Sequence, residues 1–435
     1  MAFILISQFF HPVAPLILLG YLTIYLFMKP ENVIKAFCMS TLMVMSNPGI
    51  SETHPMFSTV KWLMLFAGAI STMYYYFNVP KNRRNFPSIL ISLFLFFMAA
   101  TCISAFASYY LSLSIFKLVS FSLGASVALS AFPLCRTNID WKQWLTTLTF
   151  VVAIVSLPLL FHPLGYFRNG RGFQGIMSHP QALGVFLAPV TTLLTTEWFV
   201  STRKLRLLPP LLLLITLIIL SQARTAALAI ALALLFAIFF IFHFKNRLSS
   251  GALATSMGIV ILGITIVAAI WSNEFEKVIS GFVFKSDRLG FSGSNQELED
   301  AILRSRGNQI DQLLDNISNS PIVGVGFGMD GPHGVHDIRI NETLGIPVSA
   351  PVESGFLPLA VVSQVGMVGT LFFLIFVIQF YRGVLRTTEP GIIALAFAPL
   401  TVNFGEAIYF AVGGLGLYMW IIFGYTYWYH YTARD

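Results

Sequence analysis

Residues 207–242 read LLPPLLLLITLIILSQARTAALAIALALLFAIFFIF. The stretch holds two apolar runs, 207–221 and 224–243, each near the roughly 20 residues a helix needs to cross a bilayer. Between them stands Ser221-Gln222-Ala223-Arg224-Thr225, which has room only for a tight turn. Arg224 is the one charged residue in the stretch. The pattern predicts two membrane helices joined by a hairpin with an arginine at its tip.

Further runs of the same kind lie near 13–28, 33–46, 59–77, 88–107, 109–134, 144–161, 181–200, 252–271, 355–380, 391–405 and 408–429. Residues 2–10 form an additional half-span, interrupted by Pro12 and Pro15. The first run lacks a basic n-region and a small-residue cleavage site, so it is expected to be kept as structure. Composition agrees: 56% of the 435 residues are hydrophobic and 10% are charged, against about 25% charged in a soluble domain. Mean hydropathy is +0.77. A soluble enzyme, a disordered chain and a fibrous protein are excluded on this ground. Cys38, Cys102 and Cys135 fit no disulfide framework, metal knuckle or CxxC site. The expected fold is all-α and polytopic, with about 12–14 transmembrane helices and one large outer loop. Its parts are 1–271, 272–354 and 355–435.

Basic residues set the orientation. Lys81, Arg83 and Arg84 form one loop, Arg136 and Lys142 the next, then Arg203, Lys204 and Arg206, then Lys245 and Arg247, then Arg382 and Arg386. An even number of spans separates each from the next, so all fall on one side, the cytoplasm by the positive-inside rule. The net charge of +7 is therefore spread over short loops and is no nucleic-acid signature.

Residues 272–354 differ from the rest. They carry 12 of the 19 acidic residues and lie on the outer side. Ile310, Leu313, Leu314 and Ile317 follow the spacing of an amphipathic helix. Asn319-Ser320-Pro321 ends it, and Gly324, Gly326 and Gly328 are expected to form a flexible turn. The loop is expected to make a small helical cap.

Few cations face outward beyond this loop: Lys61, Arg168, Arg171 and Arg224. An arginine pressed between apolar helices is costly and is a functional-site hypothesis by default. The bland alternative is snorkelling or pairing with a carboxylate. Guanidinium groups suit phosphate because their planar fork binds two oxygens at once. Three at the outer surface would cradle a lipid phosphate or pyrophosphate and neutralise a departing one. No clustered aspartate motif accompanies them, and no metal site is expected. For a base that takes a proton from a sugar hydroxyl, the candidates are His336, His333, Glu353 and Glu406. The glutamates' default role is arginine counter-ion. His179, before Pro180, reads as a helix-entry residue.

Four segments together resemble the bacterial O-antigen ligase and polymerase superfamily. Arg171-Gly172-Phe173-Gln174-Gly175 through Ser178-His179-Pro180-Gln181 to Leu183-Gly184 is similar to its outer-loop motif. Leu220-Ser221-Gln222-Ala223-Arg224-Thr225-Ala226 resembles its serine-x-x-arginine helix start. Residues 306–317 with Ser320-Pro321-Ile322-Val323-Gly324-Val325-Gly326-Phe327-Gly328 resemble the amphipathic helix and Gly-rich turn of its large loop, and Glu353-Ser354-Gly355-Phe356-Leu357 resembles that loop's return to the membrane. The resemblance covers about residues 160–380.

It implies a metal-independent glycosyltransferase without a cofactor, multi-pass in the bacterial inner membrane and acting at the periplasmic face. The donor would be a polyprenyl-pyrophosphate-linked glycan, the acceptor another glycan or lipid A core, with other polysaccharide assembly proteins as partners and no nucleic acid. Arg171, Arg224, Arg168 and Arg306 would hold the pyrophosphate, and a loop histidine would serve a ligase. In family ligases His-Asn often precedes the returning helix. Here Pro332-His333-Gly334-Val335-His336-Asp337 lies earlier, and Ala350-Pro351-Val352-Glu353 stands nearest the helix. A lipid or glycan transporter is the alternative class. Its usual inverted repeats and midplane charges are not evident.

Overall fold

A computed structural model describes residues 13–50, 57–79, 88–135, 139–167, 172–201, 204–245, 308–329, 339–340, 347–349 and 355–432. The fold is that of an all-α polytopic membrane protein. The described helices are α1 (Ala14–Tyr25), α2 (Pro30–Val44), α3 (Phe57–Asn78), α4 (Ser88–Ala107), α5 (Leu111–Ser130), α6 (Trp141–Ser156), α7 (Pro180–Val200), α8 (Lys204–Ser221), α9 (Arg224–Lys245), α10 (Asn308–Asn319), α11 (Leu357–Val384), α12 (Pro390–Val402) and α13 (Leu415–Thr432). Two short strands, β1 (Arg339–Ile340) and β2 (Pro347–Ser349), pair antiparallel. Among the described residues, six helical segments are long and apolar enough to cross a membrane.

Every apolar run from 13–28 to 224–243, and from 355–380 onward, became a helix near its expected position. The run 252–271 lies outside the described residues. Helix starts follow local chemistry. Pro occupies the first turn of α2, α7, α11 and α12, where its missing N–H costs nothing. Asp140 caps α6 by accepting from Gln143 N–H at 3.0 Å. Leu63, Phe66, Ile70 and Met73 on α3, with Phe94 and Met98 on α4, are exposed. An apolar surface of this extent is the lipid-facing side of the bundle.

The two ends of the bundle differ. At one end Lys142 pairs with Glu197, and both line a cavity of about 380 Å³ with Arg206 and Glu389. These residues come from three of the predicted inside connections. At the other end, Asn47 Nδ2 donates to Leu164 O at 2.7 Å and Gly175 O at 2.9 Å. The alternation read from the basic loops therefore matches which loops meet.

The glycine-rich segment departs from expectation. It is no flexible turn: residues 324–329 are all buried and run into the bundle. α11 is broken at Gly366 (φ +62°). Before the break, the Ser363 and Gln364 carbonyls accept from Val325 N–H (2.9 Å) and Gly326 N–H (3.0 Å). After it, Met367 N–H donates to Pro321 O at 2.9 Å and Val368 N–H to Ile322 O at 3.3 Å. Irregular backbone at membrane depth is tolerated only when buried in protein with its polar groups met, and 321–326 supplies those partners. Glycine is required because Gly324 (φ +70°) has the Gln364 carbonyl carbon 2.6 Å from where a Cβ would stand.

Phe327, fully buried, packs among Phe96, Phe121 and Phe410, and Phe96 and Phe410 in turn pack on Phe373 of α11. Lys117 on α5, which the hydropathy pattern had absorbed into an apolar run, donates to Gly328 O at 2.6 Å. α10 forms as expected and packs on α11. Its buried face includes Leu313 and also Asn316, which donates to Ser363 Oγ at 3.2 Å, while Leu314 is exposed.

The last apolar run starts later than its hydropathy suggests. Residues 403–414 form an irregular, partly buried connection before α13, with Asn403, Gly405, Tyr409 and Val412 buried. Asn403 Oδ1 accepts from Tyr409 N–H at 3.0 Å, and Trp420 Nε1 donates to Tyr409 O at 2.8 Å. These bonds satisfy a loop whose apolar side chains mimic a helix in hydropathy.

Candidate functional site

The hairpin between α8 and α9 is as tight as the sequence implied. α8 ends at Ser221 and α9 begins at Arg224. Gln222 is left-handed (φ +54°), the sole non-glycine residue so placed among the described residues. Such a conformation costs energy and persists only where the surroundings enforce it. Ser221 Oγ accepts from Ala223 N–H at 3.3 Å, and Gln222 O from Arg224 N–H at 3.1 Å.

Three glycines supply the enforcement. A Cβ on Gly184 in α7 would overlap that of Ala223, and one on Gly405 would overlap Cγ2 of Thr225. Gly172 (φ +73°) brings its backbone so close that a Cβ would sit 3.1 Å from Ser221 O. Its neighbour Phe173 donates its N–H to Leu220 O at 2.8 Å. The hairpin is thus clasped by α7, by the 403–414 connection and by the segment that follows Arg171.

Arg224 opens α9. A cation at a helix N-terminus opposes the helix dipole. The same end attracts anions through its unshared N–H groups. A guanidinium there adds to that attraction. Arg224 is half-buried, with Nε and Nη2 shielded from solvent.

Glu406 lies beside it in the chain's fold. Its Oε1 accepts from Thr225 Oγ1 at 3.1 Å and from Gln181 Nε2. Gln181 is in the first turn of α7. His179 caps that helix, its Nδ1 accepting from Gln181 N–H at 3.1 Å, and stacks edge-on against Phe167 at 4.7 Å. The helix-entry reading of His179 is what the structure has. Phe167 N–H donates to Gly172 O at 3.2 Å, so the two residues flanking 168–171 are held together next to the α7 start. The same connection receives α11: Leu357 N–H donates to Asn403 O at 3.0 Å.

Of the sequence-predicted residues, Arg224 is brought into this assembly, with Glu406. Arg168, Arg171, Arg306, His333, His336 and Glu353 lie outside the described residues. Gln181 and Thr225 were not singled out as site residues by sequence. Both are uncharged and common at helix starts, so nothing local separates them from ordinary polar residues. Lys117 did carry a signal, a lone charge within an apolar run, of the kind that marks function in membranes.

Residues 209–374 match the family model described as O-antigen ligase. The match supports the likeness to the O-antigen ligase and polymerase superfamily carried by the sequence motifs. The ligase-family stretch starts inside α8 and ends inside α11. It therefore holds Arg224, Arg306, His333, His336, Glu353 and the glycine segment. Gln181 and Glu406, which hold the hairpin, come from outside it. No curated protein matches the chain.

Proposed function

We propose that the protein is a glycosyltransferase of the inner membrane, moving a polyprenyl-pyrophosphate-linked oligosaccharide onto an acceptor sugar hydroxyl at the periplasmic face. The observation that carries this reading is Arg224, placed at a helix N-terminus by a clasped, strained hairpin within the ligase-family stretch. The end that holds it is opposite the basic connections, which the positive-inside rule assigns to the cytoplasm. Arg224, with Arg171, Arg168 and Arg306, binds the pyrophosphate.

In the reaction the acceptor oxygen bonds to the donor's anomeric carbon as the bond from that carbon to the pyrophosphate oxygen breaks. The leaving group departs with the electron pair, and its charge is met by the guanidinium groups. The acceptor's proton passes to a base, His336 first, His333 second, Glu353 third. The chemistry of donor and leaving group is shared by a polymerase, whose acceptor is another lipid-linked repeat, and a ligase, whose acceptor is lipid A core. No metal is needed where arginines carry the charge.

The test is transfer by the purified protein in lipid, with a polyprenyl-pyrophosphate-linked glycan and each acceptor in turn, with and without a chelator. Product formed equally in both conditions supports the reading. Movement of the lipid-linked glycan across the bilayer without glycosidic bond formation would replace it with a transporter.

A further inference from the structure

We infer that Glu406 is a positioning residue for Arg224, acting through Gln181 and Thr225; this rests on the pyrophosphate reading above. One carboxylate oxygen ties three elements. Gln181 brings the first turn of α7, Thr225 the first turn of α9, and Glu406 itself the 403–414 connection. The N-terminal ends of two helices thus converge on Glu406, where their dipoles favour a negative charge. Hydrogen bonds to a charged acceptor are about twice as strong as neutral ones. Gly405 allows the approach, since any side chain there would collide with the Thr225 methyl.

Thr225 is covalently next to Arg224. Holding its hydroxyl fixes the first turn of α9 and so the direction in which the guanidinium leaves the helix. Without that hold, the left-handed Gln222 has less to enforce it. The connection also takes Leu357 N–H through Asn403 O. The arginine hairpin and the return of the outer loop to the membrane are therefore set from one segment, 403–414.

The test uses the full chain in nanodiscs and two readouts: the Kd of sugar-free polyprenyl pyrophosphate, and transfer kinetics with donor and acceptor varied separately. Glu406→Ala and Thr225→Val should each weaken pyrophosphate binding about tenfold, the worth of one bond to a charged group. Donor KM should rise with Kd while acceptor KM stays. The double variant should be no worse than Glu406→Ala, because both changes remove the same bond. Thr225→Ser, which keeps the hydroxyl, should restore binding. Parent-like Kd in both Glu406→Ala and Thr225→Val overturns the inference. So do equal rises in donor and acceptor KM, which a packing role would give. If Arg224→Lys binds pyrophosphate like the parent, the reading of Arg224 itself fails. If Arg224→Lys is weak while Glu406→Ala is not, only Glu406 is removed.

Discussion

Lys117 Nζ donates to the carbonyl of Gly328 at 2.6 Å, across 211 positions of chain. From the other side, Gln364 Oε1 accepts from Gly328 N–H at 2.9 Å, and Ser104 Oγ accepts from Phe327 N–H at 3.0 Å. The outer loop is thereby anchored inside the bundle shortly before His333. Lys117→Met keeps most of the apolar stem and removes the donor. It should destabilise the protein by about 1–3 kcal/mol, the cost of a buried acceptor left unmet. Thermal unfolding in detergent measures this, and an unchanged midpoint would show that the bond contributes nothing.

Gly324→Ala should be at least as costly. The residue must hold φ +70° with a carbonyl carbon 2.6 Å from the new Cβ, and positive φ alone costs on the order of 1–3 kcal/mol. Gly20 serves as the control, since a Cβ there meets nothing within 4 Å. Equal melting temperatures for Gly20→Ala and Gly324→Ala would refute the insertion.

Sidedness is checked by thiol labelling from outside, in a background lacking Cys38, Cys102 and Cys135. Cysteines placed at Gly290 and Gly331 should react, and those at Asn82 and Leu205 should not. Reaction at Asn82 would invert the orientation and move the arginine hairpin to the cytoplasm.

Arg224→Lys keeps the charge but not the two-oxygen fork. Transfer should fall by about 10–100-fold, matching about 1.5–3 kcal/mol for a hydrogen bond to a charged group. Arg171→Lys should fall less. Parent-level product at equal protein abundance in both would remove the pyrophosphate cradle.

Alanine at the true base should cut turnover by about 10²–10⁴-fold with donor binding nearly intact, since the base touches the acceptor. His336→Ala, His333→Ala and the double variant decide between the histidines. If all three turn over like the parent, Glu353 is the next residue to change.

Hydropathy runs are local, and a bilayer leaves a run of about 20 apolar residues little choice but to form a helix. That is why the helices in the runs from 13–28 to 224–243 were legible from residue order alone. The arginine at the tip of 221–225 was legible for the same reason: one charge in such a stretch stands out. Where apolar residues serve a loop, as in 403–414, the same signal misplaces the start of α13, because hydropathy does not distinguish burial in a loop from burial in a span.

What the tertiary structure decided was partnership. Thr225 and Glu406 are 181 positions apart, and Gln181 and Glu406 are 225 apart. The glycine segment meets its carbonyl partners only because α11 is broken at Gly366. No local pattern encodes these pairings, since each exists only when separate helices pack closely enough for glycines to admit a neighbour's backbone or methyl group. Residue order marks which groups are costly to bury. Packing alone determines which distant group makes that burial tolerable.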